Sequence, residues 1–201
     1  MKKVFLFLLF FSSVFIVNAQ KNVIVDRFED NSYGWTEAGN RKAKTYISGG
    51  SLFLKVKKDK SVNTWAQLPV DYKKDFKVTY KVRLHFKKLL GFIKVKKVLQ
   101  NNFNMLFDLK DDGTYNSFGV VSGKQYSIML RDKDPEIMNF NFGKKTDYEI
   151  QIVKRGSSMD FIINGIEFNT IKGVEINSNW FGIDFGNIGG LLSLEEVIIE
   201  Q

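Results

Sequence analysis

A chain of 201 residues with no Cys, two Pro, nineteen Phe and a formal net charge of +8 already excludes several classes of protein. Without Cys there is no disulfide scaffold, no thiol nucleophile, no thiolate metal site and no lipid attachment at a lipobox. Phe in alternating runs describes a folded β protein that buries enough apolar surface to dispense with cross-links.

In chain order, Lys2 and Lys3 precede an apolar run from Val4 to Val17, and Val17-Asn18-Ala19 offers small or short residues before Gln20. That is the pattern of a secretory signal peptide, with an apolar core too short for a comfortable membrane span. Residues 1–19 are therefore expected to be removed. A single domain of residues 20–201 is expected to be exported, to the periplasm or the cell exterior.

A short strand at Val23–Val25 leads into Asp26-Arg27-Phe28-Glu29-Asp30-Asn31-Ser32-Tyr33-Gly34-Trp35. Tyr46 to Val56 reads as two strands around a Ser48-Gly49-Gly50 turn, and Trp65 to Leu68 is a further strand ended by Pro69. From Phe76 to Phe86 the alternation is the clearest in the chain, with Phe76, Val78, Tyr80, Val82, Leu84 and Phe86 on one face. A long central strand is predicted there. The single His, His85, lies on its polar side among Lys81, Arg83 and Lys87, which suits a surface residue better than a base.

Lys87 to Gln100 mixes five Lys with seven large apolar residues. It reads as a protruding hairpin turning near Gly91, because Gly weakens a helix by about 1 kcal/mol. The alternative is an amphipathic segment resting on a membrane or polyanion. Alternation returns at Phe103, Met105, Phe107 and Leu109, and Asp111-Asp112-Gly113-Thr114 turns the chain into Tyr115 to Val121. A four-residue loop pairs Phe107 with Phe118 and Met105 with Val120. Ser122-Gly123 turns again into Tyr126 to Arg131, followed by the loop from Asp132 to Glu136.

Tyr148 to Ile152 and Met159 to Ile163 are strands joined across Arg155-Gly156-Ser157-Ser158, and Asn164-Gly165 follows. Asn-Gly is the strongest short hairpin signal, since a type I′ turn needs two positive φ angles. It places Ile163 opposite Ile166 and Phe161 opposite Phe168, while the earlier turn places Ile152 opposite Phe161 and Ile150 opposite Ile163. Asp160, Glu167 and Asn169 then fall on the solvent face. Trp180 to Phe185, a Gly-rich loop at Gly186 to Gly190 and a last strand from Leu194 to Glu200 complete about a dozen strands. So many strands must pair into two packed sheets or a barrel.

Charge is unevenly spread. Between Arg41 and Lys97, seventeen Lys and Arg stand against Asp59, Asp71 and Asp75, a net of +14 in a chain of net +8. Lys77, Lys81, Arg83, Lys94, Lys96 and Lys97 are the residues from which a surface for an anionic polymer would be built. The other reading is a solvated strand face on which Lys keeps edges soluble.

The succession of D-x-F-x-D-N-x-x-G-W at Asp26 to Trp35, G-G-S-L-F-L at Gly49 to Leu54, a central F-G-V-V and Y-S-I-M-L pair, the Asn164-Gly165 hairpin and a closing F-G-I-D-F with L-E-E-V-I-I resembles the concanavalin A-like lectin/glucanase superfamily. The likeness is to its laminin-G-like and 3-keto-disaccharide-hydrolase-like jelly rolls from secreted bacterial proteins, and it covers nearly the whole mature chain. The resemblance implies an all-β fold, an antiparallel two-sheet sandwich with one sheet forming a concave ligand face. Catalytic members of that superfamily carry E-x-D-x-x-E on a strand, a string that this sequence lacks; Glu195-Glu196 is followed by Val197-Ile198-Ile199.

Carbohydrate recognition needs aromatic platforms for sugar C–H faces and polar groups for hydroxyls. The candidates are Asn104, Asp108, Tyr115, Ser117, Tyr126 and Arg131, with Trp65 and Trp180 as platforms. No metal ligands are assigned. The acidic loops at Asp108 to Asp112 and Asp132 to Glu136 offer oxygens of the kind Ca2+ takes, and relatives of the fold bind calcium, but an acidic turn explains them as well. The expected function is a non-catalytic module binding a glycan, anionic or not. A glycoside-processing hydrolase of the same fold is one alternative. The other is a structural or adhesion domain that meets an envelope protein or the membrane surface through Lys87 to Gln100. Nucleic acid is not an expected partner.

Overall fold

The computed structural model describes residues 22–201 apart from 86–87, 90–91, 94–101, 122–123, 132, 144 and 187–188. The expected signal peptide, the residues Lys94, Lys96 and Lys97 and the Ser122-Gly123 turn lie outside the described residues. Among those described, sixteen strands and no helix are present.

The strands are β1 (Val23–Asp26), β2 (Ala43–Ile47), β3 (Leu52–Val56), β4 (Ser61–Gln67), β5 (Phe76–His85), β6 (Lys88–Leu89), β7 (Phe92–Ile93), β8 (Asn102–Phe107), β9 (Asn116–Val121), β10 (Gln125–Met129), β11 (Glu136–Asn139), β12 (Asp147–Arg155), β13 (Ser158–Ile163), β14 (Ile166–Lys172), β15 (Trp180–Gly186) and β16 (Gly190–Glu200). An eight-stranded sheet runs β14-β13-β12-β5-β16-β3-β2, with β1 also paired to β16, and a six-stranded sheet runs β11-β10-β9-β8-β15-β4. Every pairing is antiparallel, as alternating sequences with one buried face require. The architecture is the expected sandwich. Lys88–Leu89 pairs antiparallel with Phe92–Ile93, and the rest of the expected Lys87–Gln100 hairpin lies outside the described residues.

Aromatic rings lock the two sheets together. Phe76 meets Phe181 at 5.8 Å, Phe103 meets Tyr148 at 4.8 Å, and Phe161 meets Phe118 at 4.9 Å and Phe107 at 6.1 Å. Phe161, Phe103, Phe107, Phe118 and Phe181 are all completely buried. The opening motif is a structural clasp. Asp26 accepts from Phe28 N through Oδ1 and from Trp35 Nε1 through Oδ2, while Asn31 holds Trp35 N at 2.7 Å and Trp35 O at 2.9 Å.

The hairpin at Asn164-Gly165 has φ of 52° and 76°, the left-handed pair that a type I′ turn demands. Ile163 pairs with Ile166, Ile152 with Phe161 and Ile150 with Ile163, as the sequence predicts. Phe161, however, pairs with Asn169 and not with Phe168, because a bulge between Phe161 and Ile162 leaves Phe168 unmatched. Phe168 thereby packs at a tilt on Tyr126 at 4.5 Å and edge to face on Phe140 at 4.7 Å, an aromatic gain that supports the bulge. Ile166, expected inside, is 46% exposed at the hairpin tip.

Asp160 also departs from expectation. It points away from the core yet is buried, paired to Arg155 and accepting from Thr170 Oγ1 at 2.8 Å. A second register differs by two residues: Met105 pairs with Phe118 and Phe107 with Asn116. The connection is longer than four residues because Asp108 takes φ of +57° and leaves the strand early. A two-residue slip preserves the faces, so the core is unchanged.

Candidate functional site

The outward face of the six-stranded sheet carries a single row of side chains across all its strands. Asn63 pairs with Asp184, Asp184 with Asn104, Asn104 with Gly119, Gly119 with Ser127 and Ser127 with Ile137. Five strand spacings make the row about 24 Å long. Ser127 Oγ donates to Asn104 Oδ1 at 3.3 Å, and the Asn104 side chain in turn hydrogen-bonds the Asp184 carboxylate. That relay passes over Gly119, where a Cβ would stand only 2.8 Å from Asn104 Oδ1. Glycine keeps the floor of the row low enough for the contact.

The neighbouring row runs Trp65, Gly182, Leu106, Ser117 and Met129. Trp65 and Tyr115 meet edge to face at 5.5 Å. Tyr115 directly precedes β9, which is three strands from β4, about 14 Å across the sheet. The two rings must therefore lean over the strands between them. Consistently, an added Cβ on Gly182 would stand 2.8 Å from Trp65 Cδ2, and outward-pointing Leu106 and Ser117 are buried. An aromatic ridge stands beside a polar, glycine-floored row.

Asp184 is the acid of this face. Burial pushes its carboxyl above the usual carboxylate range, opposed by hydrogen bonds from Asn104 and the Phe185 backbone. A raised value means that ionisation costs the folded state more than the unfolded chain. The penalty is absent below the ordinary Asp range and grows as pH rises through the raised value. Asp184→Asn should thus raise the melting temperature at neutral pH and leave it unchanged in strong acid. Equal effects at both pH values would show that burial does not penalise the ionised Asp184.

The candidates from the sequence fall into three places. Asn104 lies in the polar row, Trp65, Tyr115 and Ser117 belong to the aromatic ridge, and Trp180 stands 37% exposed opposite Gln67. Tyr126 instead faces the core, its ring on Phe168 and its hydroxyl on Met138 Sδ. Asp108 and Arg131 form a buried pair at the end of the sandwich. Asp108 Oδ1 accepts from Asn177 N at 2.8 Å and Ser178 N at 2.9 Å, and Oδ2 accepts from Asn116 Nδ2 and Arg131 Nη2. With both oxygens bonded to N–H donors and its charge balanced by Arg131, Asp108 does not suit calcium. Among the described residues no three acids or His converge on a metal position.

On the eight-stranded sheet the basic candidates are neutralised. Lys77 pairs with Glu200, Lys81 with Glu196, and Arg83 with Asp147 and Glu195. A bulge between Leu194 and Glu196 lets two consecutive acids reach these cations. The Glu196 carboxyl is held below its usual range chiefly by Lys81. His85 bonds Ser193 Oγ at 2.7 Å and lies on that same outer face.

This two-sheet arrangement has well-defined counterparts among solved structures. The β-glucanase of Bacillus licheniformis superposes with a TM-score of 0.60 at 9% identity, covering 88% of this chain and 97% of its own. The endo-β-1,3-glucanase of Pyrococcus furiosus gives 0.58 at 12% identity, covering 89% and 93%. The exoplasmic/lumenal domain of VIP36, in its Ca2+/Man3GlcNAc-bound form, gives 0.61 at 11% identity, covering 89% and 87%. The chain has the concanavalin A-like lectin/glucanase fold. No family model matches the sequence, and no curated protein shows significant similarity to it. On this concanavalin A-like frame, sequence reading missed Asp184, Asn63 and Ser127. The signal was present: Phe181, Ile183 and Phe185 alternate inward, so Gly182, Asp184 and Gly186 must face out.

Proposed function

We propose that this protein is an exported carbohydrate-binding module that holds its ligand on the outward face of the six-stranded sheet. The observation that carries the reading is the polar row of Asn63, Asp184, Asn104 and Ser127 lying beside the Trp65–Tyr115 ridge. Amide, carboxylate and hydroxyl groups match sugar hydroxyls as donors and acceptors, and an aromatic flank takes the apolar face of a pyranose. Binding is favoured over turnover by the acid count. Asp184 has no second carboxylate among the described outward side chains of this sheet. Glycosidases need two, about 5 Å or roughly 6.5–9.5 Å apart. The structural neighbours named as β-glucanases make neutral gluco-oligosaccharides the first probe. Export rests on the pattern of Lys2 to Ala19.

The test is calorimetric titration of neutral β-linked gluco-oligosaccharides into the mature protein, with product analysis. Trp65→Ala should weaken binding by about 1–3 kcal/mol, as for loss of a stacking platform. Asp184→Asn should weaken it too while stabilising the fold at neutral pH. Absence of binding by the parent protein rejects the reading, and released sugar converts it to a hydrolase.

A further inference from the structure

The lysines that carry no counter-charge lie elsewhere from those that do. In β2 and β3, Lys44 stands directly opposite Lys55, and the Lys57 N to Lys42 O hydrogen bond at 2.7 Å extends the same ladder to Lys42 and Lys57. Thr45, Leu52, Leu54 and Val56 are buried, so the alternation turns all four lysines outward, and all four are exposed. Opposed strand positions are about 5 Å apart and alternate residues about 7 Å apart along a strand, which sets four ammonium stems in a compact rectangle. Like charges directly opposite one another destabilise a sheet.

Neither strand contains an acid. Among the described residues none of the four makes an ion pair, whereas Lys77, Lys81 and Arg83 on the same sheet all do. Of the acids in the flanking loops, Asp59 is paired to Lys58 and Glu37 accepts from Ile47 N. One end of the ladder is aromatic. Tyr46 stacks on Phe53 at 5.3 Å, Phe53 approaches His85 at 6.0 Å, and Lys44 Nζ lies 4.4 Å from the Tyr46 ring centre.

We propose that the outer face of β2 and β3 is a second binding surface, for an acidic polysaccharide bearing sulfate or carboxylate groups. Four uncompensated cations on an exposed strand pair suit a flexible polymer with repeated negative charge, and the Tyr46–Phe53–His85 group supplies contact for sugar rings. A membrane surface fits less well, because interfacial binding needs apolar residues to insert. Among the described residues the exposed large apolar ones are Val23, Val25, Ile137, Ile166 and Trp180, none of them on β2 or β3. The choice of a polysaccharide among anionic polymers rests on the glycan reading above; the surface itself does not.

The test measures binding of heparin and polygalacturonate to the mature protein at low and physiological salt. Lys44→Gln with Lys55→Gln should lower affinity at least tenfold at low salt and flatten the salt dependence, since exposed charges are screened within about 8–10 Å. The same variant should keep or raise the melting temperature, because it removes an opposed like-charge pair. Lys110→Gln with Lys133→Gln, exposed cations without an ion pair among the described residues, is the matched control and should leave affinity within about twofold. Equal losses in both variants would reduce the effect to net charge and overturn the proposal. So would failure of the parent to bind either polysaccharide at low salt. Tighter binding to phosphatidylglycerol vesicles or duplex DNA would overturn the choice of polymer. Neutral-oligosaccharide binding should be unchanged in Lys44→Gln/Lys55→Gln, so this surface and the Asp184 face fail separately.

Discussion

Phe161→Ala should lower the unfolding free energy by about 3–5 kcal/mol, measured by denaturant titration, as large aromatic truncations in well-packed cores do. Phe161 is completely buried on β13 and crosses the interior to Phe118 and Phe107 of the opposite sheet. Its removal opens a void at the joint between the sheets, where neither backbone is free to collapse. Asp160, its chain neighbour, gives the internal comparison. Asp160 is buried but its partners Arg155 and Thr170 are exposed, so water can satisfy them and Asp160→Ala should cost only about 1 kcal/mol or less. A Phe161→Ala loss no larger than that of Asp160→Ala would contradict the packing described here.

Asp108→Ala should be comparably damaging, at about 3–5 kcal/mol, because removing one member of a buried ion pair strands the other. Arg131, only 13% exposed at its side chain, would lose its carboxylate while Asn177 N and Ser178 N lose their acceptor. Three connections meet at this carboxylate: the loop leaving β8, the end of β10 and the approach to β15. Asp108→Asn keeps an acceptor for the two backbone N–H groups but not the charge, so it should recover only part of the loss. A variant as stable as the parent would show that these loops are held by other contacts.

How far the sequence could be read depended on the range of the interaction. Period-two alternation at Phe76 to Leu84 and the Asn164-Gly165 turn are local, and both specify the inner face without knowledge of any partner strand. Registers that depend on distant rings were out of reach. The bulge at Phe161/Ile162 is repaid by Phe168 meeting Tyr126 and Phe140, residues more than twenty positions away. Asp108 looked like a ligand group because its acidity is visible in sequence and its two backbone donors are not. Asp184 was overlooked between two glycines and two Phe, although strand alternation alone sends it to the outer face. The basic stretch from Arg41 to Lys97 read as one cationic surface. The fold divides it, setting Lys77, Lys81 and Arg83 against acids of β12 and β16 and leaving Lys42, Lys44, Lys55 and Lys57 with none.

The position of β16 bears on how the molecule can come into being. Residues Gly190–Glu200 lie in the middle of the eight-stranded sheet, hydrogen-bonded to β5 on one side and to β3 and β1 on the other. β1, β3 and β5, made early in synthesis, therefore lack the strand that joins them to one another until a segment more than a hundred residues later is made. Pairing over such separations is slow, because the loop-closure entropy is lost before any contact repays it. A ribosome that has not yet delivered residue 200 holds a chain that cannot complete this sheet. Under the export proposed above, that delay would keep the polypeptide threadable until translation has passed the last strand.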